Sequence, residues 1–380
     1  MSPIKIAQII ESTGGGSGRH VVDVLNALAQ DPRFEVHLIH SLDRIEDRYR
    51  LGIEKLVGQI KIHEVPMVRQ VNPMLDWKGM WAIHRYLRQQ GSFRAVHSHS
   101  AKAGALGSVA AKLLGTPRIV FTPHAFYSMG LSGRKQKIYQ VVEKICGLVC
   151  HKLIAVSGEE SSYMLHHRLI AKSKLQIIPN AIEPIDLATW QARGQQMRQR
   201  LGIADTTRVI GSIGRLTPQK NPLMFVEMVA RRTQRYSAAE ECYVMVGDGV
   251  LEPEVLATLE HYQIRDRVLF LGFRSDVDDL LAALDIFVLN SLYEGMPYII
   301  LEAMAHALPI VSTNVEGVLD PLRDGGLLVP IGDVGALDAA LDQLVKPQRR
   351  QKMGRANRQR LEKNYSIEAM MQSLINLYLN

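Results

Sequence analysis

Short apolar runs alternate with longer amphipathic stretches through both halves of this chain. Each run has the length of a buried strand, and the stretches between the runs repeat apolar residues with the helical period. The runs cover residues 4–10, 36–40, 95–99, 118–122 and 153–156 in the first half, and 209–213, 243–246, 268–271, 286–289 and 310–311 in the second. This alternation predicts an α/β protein with two doubly wound parallel sheets, joined near residues 183–187.

The size and composition of the chain agree with two domains. A chain of 380 residues, 47% of them hydrophobic, can fill two ordinary cores, whereas a single domain of this length would be unusually large. No apolar run approaches the roughly 20 residues that span a bilayer, and the first strand starts too early and is too short for a secretory signal. We therefore expect a cytoplasmic protein.

Three cysteines offer neither a disulfide framework nor a four-ligand zinc set. Cys146 and Cys150 lie four residues apart on a helical pattern, and Cys242 is distant from both. We expect all three to be reduced side chains that pack in the protein interior.

Charge is distributed unevenly between the two halves. Residues 1–183 contain 24 Lys and Arg against 14 Asp and Glu, a net charge of +10, and the remaining residues carry 21 against 24, a net charge of −3. An anionic partner, such as a phospholipid surface or a lipid-linked diphosphate, would explain a basic first half. Lysines scattered over the surface of a soluble domain explain it equally well.

The segment 74–87 has a pattern that fits two environments. It contains Trp77 and Trp81 together with Lys78 and Arg85, as expected of an amphipathic helix at a membrane surface. A helix that faces the protein core is the more frequent origin of such a pattern.

Two glutamates flank a predicted strand-to-helix turn in the second half of the chain. An apolar run precedes the turn, and residues 298–307 have helical composition. Gly295 permits a tight turn, and Pro297 suits the first helical position, where its missing N–H would have no partner. The free amides of such a helix start can receive an anion, while Glu294 and Glu302 can bind sugar or ribose hydroxyls. By itself the pair is equally consistent with two surface glutamates beside a capped helix.

A second predicted strand-to-helix loop carries two cations. The run 209–213 is followed by Gly214-Arg215-Leu216-Thr217-Pro218-Gln219-Lys220-Asn221 and then by the helical run 222–232. Arg215 can offer a planar fork to a diphosphate and Lys220 a compact point charge, so together they could neutralise a leaving group without a metal. Taken alone, this loop could also be an ordinary solvated turn.

Together the two motifs resemble the retaining glycosyltransferases of family 4, which have the GT-B fold. The G-R-L-x-x-x-K-N loop at 214–221 and the E-x7-E segment at 294–302 match in order and separation. Supporting matches spread over nearly the whole chain are GGGSGRH at 14–20, TPHAF at 122–126, PNAIE at 179–183 and GDG at 247–249. The resemblance implies two Rossmann-like doubly wound parallel-sheet domains facing a cleft. Residues 1–183 would bind the acceptor, 184–365 would bind the donor, and a C-terminal helix at 366–380 would return to the first domain.

The resemblance also implies roles for individual residues. Arg215 and Lys220 would hold the diphosphate, Glu302 the ribose, and Glu294 with the amides after it the sugar, which His124 would approach from the other domain. The implied catalytic residues are therefore His124, Glu294, Arg215 and Lys220. The implied donor-binding residues are Gly15, Gly16, Arg215, Lys220, Gly272, Phe273, Arg274, Glu294, Gly295, Met296, Pro297 and Glu302, among which 272–274 border the base. Without the resemblance, a hydrogen-bonded loop histidine is the commoner interpretation of His124.

The implied reaction is transfer of a sugar from a nucleoside diphosphate sugar, such as a UDP- or GDP-sugar, to an acceptor hydroxyl with retention at the anomeric carbon. A lipid-linked glycan in surface-polysaccharide assembly is a common acceptor in the family, and it would bring the protein to the inner face of the membrane. We expect no cofactor, no metal and no nucleic-acid partner. Two alternatives are a nucleotide-sugar epimerase of the same fold and a nucleotide-sugar-binding protein without catalysis.

The glycine-rich turn at 14–18 also resembles the start of a dinucleotide-binding domain. The spacing G-x-G-x-x-G counted from Gly14 would require glycine where Arg19 stands, although Asp43 lies where a ribose-binding acid is expected. An NAD-dependent oxidoreductase is therefore a poor second hypothesis.

Asp276 and Asp278 form a D-x-D pattern that chelates a metal in other glycosyltransferases. Here the pattern precedes the helical run 280–284 and is better interpreted as a pair of helix N-terminal acids, so we expect metal-independent transfer. The chain departs from the family pattern at Glu316 and Ala181, where glycine is common.

Overall fold

The computed structural model describes residues 2–43, 45–68, 70, 72–323 and 325–380. The chain divides into two compact units. The first unit extends to Asn180 and also includes Ile367–Asn380, and the second unit is Ala181–Ser366.

The first unit contains a seven-stranded sheet in which every strand pair is parallel. Its strands are β1 (Ile4–Ile10), β2 (Phe34–His40), β3 (Lys61–Glu64), β4 (Ala95–His99), β5 (Arg118–Thr122), β6 (Lys152–Ala155) and β7 (Leu175–Ile177). Their order in the sheet is β3-β2-β1-β4-β5-β6-β7, so the winding reverses between β1 and β4. Ligands of open α/β sheets bind beyond the carboxyl ends of the strands at such a reversal.

Helices connect these strands. They are α1 (Gly15–Ala29), α2 (Asp47–Glu54), α3 (Pro73–Gln90), α4 (Ala101–Leu113), α5 (Gly133–Val149) and α6 (Gly158–His166), with 3-10 turns at Tyr127–Gly130 and Lys172–Lys174. The last helix of the chain, α15 (Ile367–Leu379), belongs to this unit and packs near α1. It buries Met370, Leu374 and Tyr378, which are four residues apart and therefore share one face.

The second unit repeats the design with six parallel strands. They are β8 (Arg208–Ile213), β9 (Glu241–Val246), β10 (Val268–Phe270), β11 (Ile286–Leu289), β12 (Ile310–Thr313) and β13 (Gly326–Val329), in the order β10-β9-β8-β11-β12-β13. The winding reverses between β8 and β11. The helices are α7 (Leu187–Arg200), α8 (Pro222–Arg232), α9 (Glu252–His261), α10 (Val277–Ala283), α11 (Tyr298–Ala305), α12 (Leu319–Leu322), α13 (Val334–Asp342) and α14 (Pro347–Asn364), with a 3-10 turn at Arg265–Arg267.

The prediction of two doubly wound parallel sheets is confirmed, and each predicted apolar run lies in or overlaps a strand. Three strands were missed, β3, β7 and β13, and each lies at the edge of its sheet. Edge strands are covered less completely than central ones, and these three are mostly half-exposed or exposed. Their sequences therefore lack the continuous apolar run that identifies a buried strand.

The three thiols are free, as predicted. Cys146 and Cys150 are buried, whereas Cys242 is only partly buried, so the prediction of interior packing was wrong for Cys242. Burial raises the pKa of Cys146 to about 12 and that of Cys150 to about 11, which keeps both thiols protonated and unreactive at neutral pH. Among the described residues, every helix is too short or too polar to cross a bilayer.

The segment 74–87 lies within α3, which has a buried side and an exposed side. Ile83 and Leu87 are buried against the core, as is Gly79, whereas Met74 and Trp77 are exposed. The core-facing interpretation is therefore correct for one side of the helix, and the membrane interpretation stays a prediction.

Candidate active site

The two motif-bearing loops of the second unit meet at the reversal of its sheet. The loop 214–221 follows β8, and the loop 290–297 follows β11, the neighbouring strand. Since parallel strands end at the same edge, the sheet itself brings these loops together.

Polar contacts hold the two loops against each other. The backbone N–H of Leu292 donates to the carbonyl of Gln219 at 2.7 Å, and the Gln219 side chain donates to the carbonyl of Tyr293 at 3.1 Å. Asn290, which is buried, donates through Nδ2 to the carbonyl of Lys220 at 2.8 Å. The conformation of the cation-bearing loop is thus fixed by the acid-bearing loop.

An ion pair joins the motifs directly. The ammonium of Lys220 lies 2.5 Å from Oε1 of Glu294, and the hydroxyl of Ser291 donates to the same oxygen at 2.6 Å. Glu294 is only 6% exposed, so its charge is balanced by Lys220 rather than by bulk water. In the ligand-free protein Lys220 is therefore already paired, and a phosphate oxygen would share the ammonium with Glu294 or displace it.

Arg215, on the same loop as Lys220, differs from it in exposure and in hydrogen bonding. Its side chain is exposed, and the guanidinium has no hydrogen-bond or ion-pair partner in the part of the chain that the structure describes. A small cavity of about 10 Å³ is lined by Gly214, Arg215, Lys220 and Asn290, among others. The loop thus offers one exposed cation and one cation shared with Glu294.

Two glycines allow close backbone contacts around this cavity. Gly247 has φ 137°, and a Cβ there would lie 1.9 Å from the carbonyl oxygen of Gly214. Gly317 has φ 86°, and a Cβ there would lie 1.9 Å from the carbonyl oxygen of Gly295. Although Glu316 departs from the family pattern, the position that requires glycine is Gly317, where glycine is present.

The helix after the acidic loop begins one residue later than predicted. Pro297 is the N-cap of α11, with extended backbone angles of φ −73° and ψ 126°, and Tyr298 is the first helical residue. The prediction of Pro297 at the first helical position was wrong, because the φ that the proline ring fixes is also compatible with an extended cap residue.

Glu302 lies one turn inside α11 and is buried, and Met296, which precedes the helix, is buried as well. The amides of the first turn leave a positive end beside Glu294, where an anion is favoured.

The segment predicted to border the base follows β10 at the same edge of the sheet. The carbonyl of Gly272 accepts from the N–H of Gly247 at 2.8 Å, and Phe273 is half-exposed. Arg274 makes a bidentate pair with Asp276, at 2.8 and 2.5 Å, which lowers the pKa of Asp276. Asp276 is the N-cap residue of α10 and Asp278 lies in its first turn, so the interpretation of D-x-D as helix N-terminal acids is confirmed.

A second polar cluster lies at the reversal of the first sheet and consists of neutral groups. Gln8 of β1 is in register with His97 of β4, and His97 and His99 point to the same face because they are two residues apart. Tyr378 of α15 covers this face and contacts Gln8 and His97. All four side chains are buried.

The side chain of Gln8 determines which atoms of His99 and His124 donate hydrogen bonds and which accept them. Gln8 donates through Nε2 to the hydroxyl of Tyr378 at 3.2 Å. Its Oε1 can only accept, so Nε2–H of His99 donates a hydrogen bond to it at 2.8 Å. His99 then accepts at Nδ1 from Nε2–H of His124, at 3.1 Å. The hydroxyl of Tyr378 also makes a hydrogen bond of 2.7 Å with Nδ1 of His97. The buried amide of Gln8 thus sets the tautomers of His99 and His124, and Nδ1 of His124 is left as an acceptor.

Burial keeps these histidines uncharged. It lowers the pKa of His97, His99 and His124 well below the usual value, and it lowers the pKa of His20, on α1, to about 4. The ring of His20 lies 4.7 Å from that of His124, and one nitrogen each of His20, His99 and His124 lie within 4.8 Å of one another. Neutral imidazoles in this arrangement could hold a transition metal such as Zn²⁺. In the structure, the facing nitrogens of His99 and His124 are instead satisfied by the hydrogen bond between them.

The loop that carries His124 is strained and is held by a buried acid. His124 and Ala125 have φ values of 56° and 79°, a region that non-glycine residues seldom adopt. Glu160 accepts from the N–H of Ala125 at 2.9 Å and from the N–H of Val156 at 2.7 Å. Burial raises the pKa of Glu160 to about 7. Such strain is common where a side chain must be presented in one orientation.

A side-chain carboxylate already occupies the amides at the glycine-rich turn of the first unit. The N–H of Gly15, the first residue of α1, donates to a carboxylate oxygen of Glu46 at 2.8 Å. A Cβ at Gly18 would lie 1.8 Å from the carbonyl oxygen of Thr13. Close packing against Thr13 therefore accounts for glycine at position 18. The predicted donor-binding roles of Gly15 and Gly16 stay predictions.

Several residues of both clusters were missed by the sequence analysis, namely Gln8, His20, His99, Tyr378, Asn290 and Ser291. The alternating His97-Ser98-His99 at a strand end and the Asn-Ser pair before Glu294 were available as signals. Nothing local identifies Gln8 or Tyr378, which are 370 residues apart and meet only in the folded first unit.

Two family models match this chain. The model described as "Glycosyl transferases group 1" matches residues 207–347, and the model described as "Glycosyltransferase Family 4" matches residues 14–185. The first match contains both motif loops of the second unit, and the second contains the histidine cluster except for Tyr378 and Gln8.

Relatives and solved structures agree with these matches. A UDP-Gal:alpha-D-GlcNAc-diphosphoundecaprenol alpha-1,3-galactosyltransferase from Escherichia coli is 28% identical over 318 residues, 83% of this chain and 82% of the relative. The capsular polysaccharide biosynthesis glycosyltransferase CapM from Staphylococcus aureus is 23% identical over 324 residues, 83% of this chain and 84% of the relative. The crystal structure of Anabaena Alr3699/HepE in complex with UDP and glucose has a TM-score of 0.79 and 18% identity, covering 98% of each chain.

These matches show a glycosyltransferase with a family 4 domain at residues 14–185 and a group 1 domain at residues 207–347, and the predicted resemblance to family 4 fits them. The predicted GT-B fold and the predicted class of enzyme, a glycosyltransferase, are confirmed.

Proposed function

We propose that this glycosyltransferase moves a sugar from a UDP-sugar to a hydroxyl of a lipid-linked glycan, with retention at the anomeric carbon and without a metal. The named activity of the Escherichia coli relative supports a UDP-sugar donor and a diphosphate-linked lipid acceptor. The UDP and UDP-glucose complexes of Anabaena Alr3699/HepE, a protein of the same fold, agree with a UDP-sugar donor.

The observation that carries the proposal is the Lys220–Glu294 pair at the sheet reversal, on the same loop pair as the exposed guanidinium of Arg215. When the sugar leaves, negative charge accumulates on the diphosphate. Arg215 would bind it through a planar fork, Lys220 would supply a point charge, and the positive end of α11 would add its free amides. Hydrogen bonds and the ion pair hold the two loops together in the ligand-free protein, so these charges are preorganised. Such preorganisation is the main source of catalysis where negative charge develops in the transition state.

The acids of the same loops have separate roles in this proposal. Glu294 would accept hydrogen bonds from sugar hydroxyls while Lys220 offsets its charge, and Glu302 would accept from the ribose. The amides of Gly295 and Met296 would complete the sugar contact, and Phe273 would border the base. The second unit thus provides the donor site.

The first unit would choose the acceptor and supply His124. A neutral imidazole whose Nε2–H is held by His99 keeps Nδ1 as an acceptor, so it can accept a hydrogen bond from a sugar hydroxyl without adding a positive charge. The lipid-linked acceptor would place the protein at the inner face of the membrane as a peripheral protein.

The test is a transfer assay in a chelator with UDP-galactose, UDP-glucose and GDP-mannose as donors and a polyprenyl-diphosphate-linked sugar as acceptor, followed by NMR of the new linkage. Transfer with the donor's anomeric configuration supports the proposal. Loss of transfer on chelation that manganese restores would overturn metal independence, and inversion would overturn retention. Conversion of the donor without acceptor would assign an epimerase, and binding without turnover would assign a binding protein.

A further inference from the structure

Helix α5 of the first unit carries an unusual exposed apolar face. Its exposed aliphatic side chains are Ile138 (64% exposed), Val141 (59%), Val142 (43%), Ile145 (52%) and Leu148 (68%). Their spacing of three and four residues places all of them on one side of the helix. Contiguous apolar surface of this kind on a folded protein marks an interaction site.

The orientation of α5 is fixed by its opposite side. Glu143 is buried and accepts from the N–H and the hydroxyl of Ser128, at 3.1 and 2.5 Å. Cys146 lies in the hydrophobic core, and a Cβ at Gly147 would lie 2.3 Å from the carbonyl oxygen of Leu169. The helix cannot turn its aliphatic face inward without losing these contacts.

Cations border the apolar face. Arg134, Lys135, Lys137 and Lys144 of α5 are all exposed, and the one acid of the helix, Glu143, is buried. Over residues 77–158 the sequence has twelve Lys and Arg and a single acid, which is again Glu143. The surface is therefore apolar in the centre and cationic at its margins.

A second apolar patch lies on the same face of the first sheet. Helix α4 packs against both α3 and α5, so the three helices lie side by side. On α3, Met74, Trp77 and Trp81 are exposed. Tryptophan is enriched where a protein meets the boundary between lipid headgroups and acyl chains.

We infer that the exposed face of α5, extended by the exposed residues of α3, docks on an anionic phospholipid bilayer with the axis of α5 parallel to the membrane plane. Aliphatic side chains would enter the headgroup boundary, and the bordering lysines and arginine would contact anionic headgroups, the arrangement of an interfacial amphipathic helix. A second copy of this chain fits the face poorly, because a two-fold contact through α5 would oppose like charges. The inference deepens the proposed function, since its lipid-linked acceptor lies in such a membrane.

The test is co-sedimentation of the full chain with vesicles of phosphatidylcholine plus phosphatidylglycerol and with vesicles of phosphatidylcholine alone, without donor or acceptor. We expect binding to the anionic vesicles that weakens as salt is raised. Ile138→Gln with Ile145→Gln should lower the partition coefficient about ten-fold or more, because two aliphatic side chains leave the interface. Val57→Gln with Val250→Gln, at two exposed valines outside α5, should leave it unchanged.

The charged margin is tested separately. Lys137→Gln with Lys144→Gln should weaken binding to the anionic vesicles, whereas Lys352→Gln with Lys363→Gln, exposed lysines of α14, should not. All these positions are exposed, so circular dichroism should show the same fold in every variant. Equal binding of the α5 variants and the wild type would overturn the inference. A dimeric wild type that becomes monomeric in the Ile138/Ile145 variant would also overturn it, by assigning the face to a second copy.

Transfer assays keep this inference distinct from the proposed function. The Ile138/Ile145 variant should transfer normally to a water-soluble acceptor and lose transfer to an acceptor embedded in vesicles. Absence of transfer to any acceptor, with vesicle binding intact, would contradict the proposed function and leave the docking surface standing.

Discussion

The two sheets present their polar clusters at the same topological position, and the clusters differ in charge. At the reversal between β8 and β11, the second unit has the ion pair of Lys220 and Glu294 and the exposed Arg215. At the reversal between β1 and β4, the first unit has Gln8 and His99, uncharged and buried. The same fold thus provides a charged, partly open site in one unit and a neutral, closed network in the other.

The difference follows from how each cluster is solvated. Burying an isolated charge is costly, so the imidazoles of the first unit lose their protons and satisfy one another by hydrogen bonds. In the second unit the charged side chains lie on loops beyond the sheet, where ion pairing and partial exposure offset the cost of removing charge from water. A site for a diphosphate needs fixed positive charge, and only the second cluster has it.

The largest effect is expected from Lys220→Ala. The change removes one of the preorganised cations and leaves Glu294 without its partner, so kcat/KM for transfer should fall about 10²-fold or more. Steady-state transfer rates measure this, with Lys352→Ala on exposed α14 as the matched control. Unchanged turnover would show that the ion pair is structural and would remove the contrast between the units.

Tyr378→Phe tests the neutral network. The hydroxyl is hydrogen-bonded to Gln8 and His97 in a buried site, so its loss should lower the free energy of unfolding by about 1–3 kcal/mol. Chemical denaturation measures this, with the partly exposed Tyr262→Phe as control. The nitrogen NMR shifts of His99 and His124 should also change, because Gln8 would lose the partner that orients its amide. A loss of stability with unchanged shifts would mean that Tyr378 only packs.

Glu143 gives the first unit a dependence on pH. Burial raises its folded pKa to about 7 from a reference of 4.5, so the folded state binds the proton more tightly and stability is lost as pH rises through about 7. Between pH 4.5 and 7.5 the free energy of unfolding of the wild type should fall by about 1–3 kcal/mol relative to Glu143→Gln. Denaturant titrations of both proteins at several pH values measure it. Parallel curves would show that the pKa of Glu143 is the same in the folded and unfolded protein and would contradict the shift.

The sequence predicted the charged site better than the neutral one because the charged site is local. The run before Gly214, the cation loop and the helix Pro222–Arg232 follow one another in the chain, and the structure places them as the pattern indicates. The one-residue error at Pro297 arose because the ring of proline suits a cap and a first turn equally. In contrast, the network of Gln8, His99 and Tyr378 joins the two ends of the chain, and no window of sequence contains it.

The exposed face of α5 shows a second limit of prediction from sequence. Aliphatic residues at Ile138, Val142 and Ile145 have the spacing of a core-facing stripe, and the sequence contains nothing that separates a covered stripe from an open one. Only the packing of Glu143 and Cys146 on the other side determines which face remains exposed.

Calorimetric titration of UDP in a chelator tests the central claim most directly, that the charged cluster of the second unit is the diphosphate site. We predict that the wild type binds UDP and that Arg215→Ala weakens binding about ten-fold or more, because a charge-assisted pair to a phosphate is lost. Arg265→Ala, an exposed arginine just before β10 at the opposite edge of the sheet, should bind UDP like the wild type. Equal affinity of the wild type and Arg215→Ala, or binding that requires a divalent metal, would contradict the account.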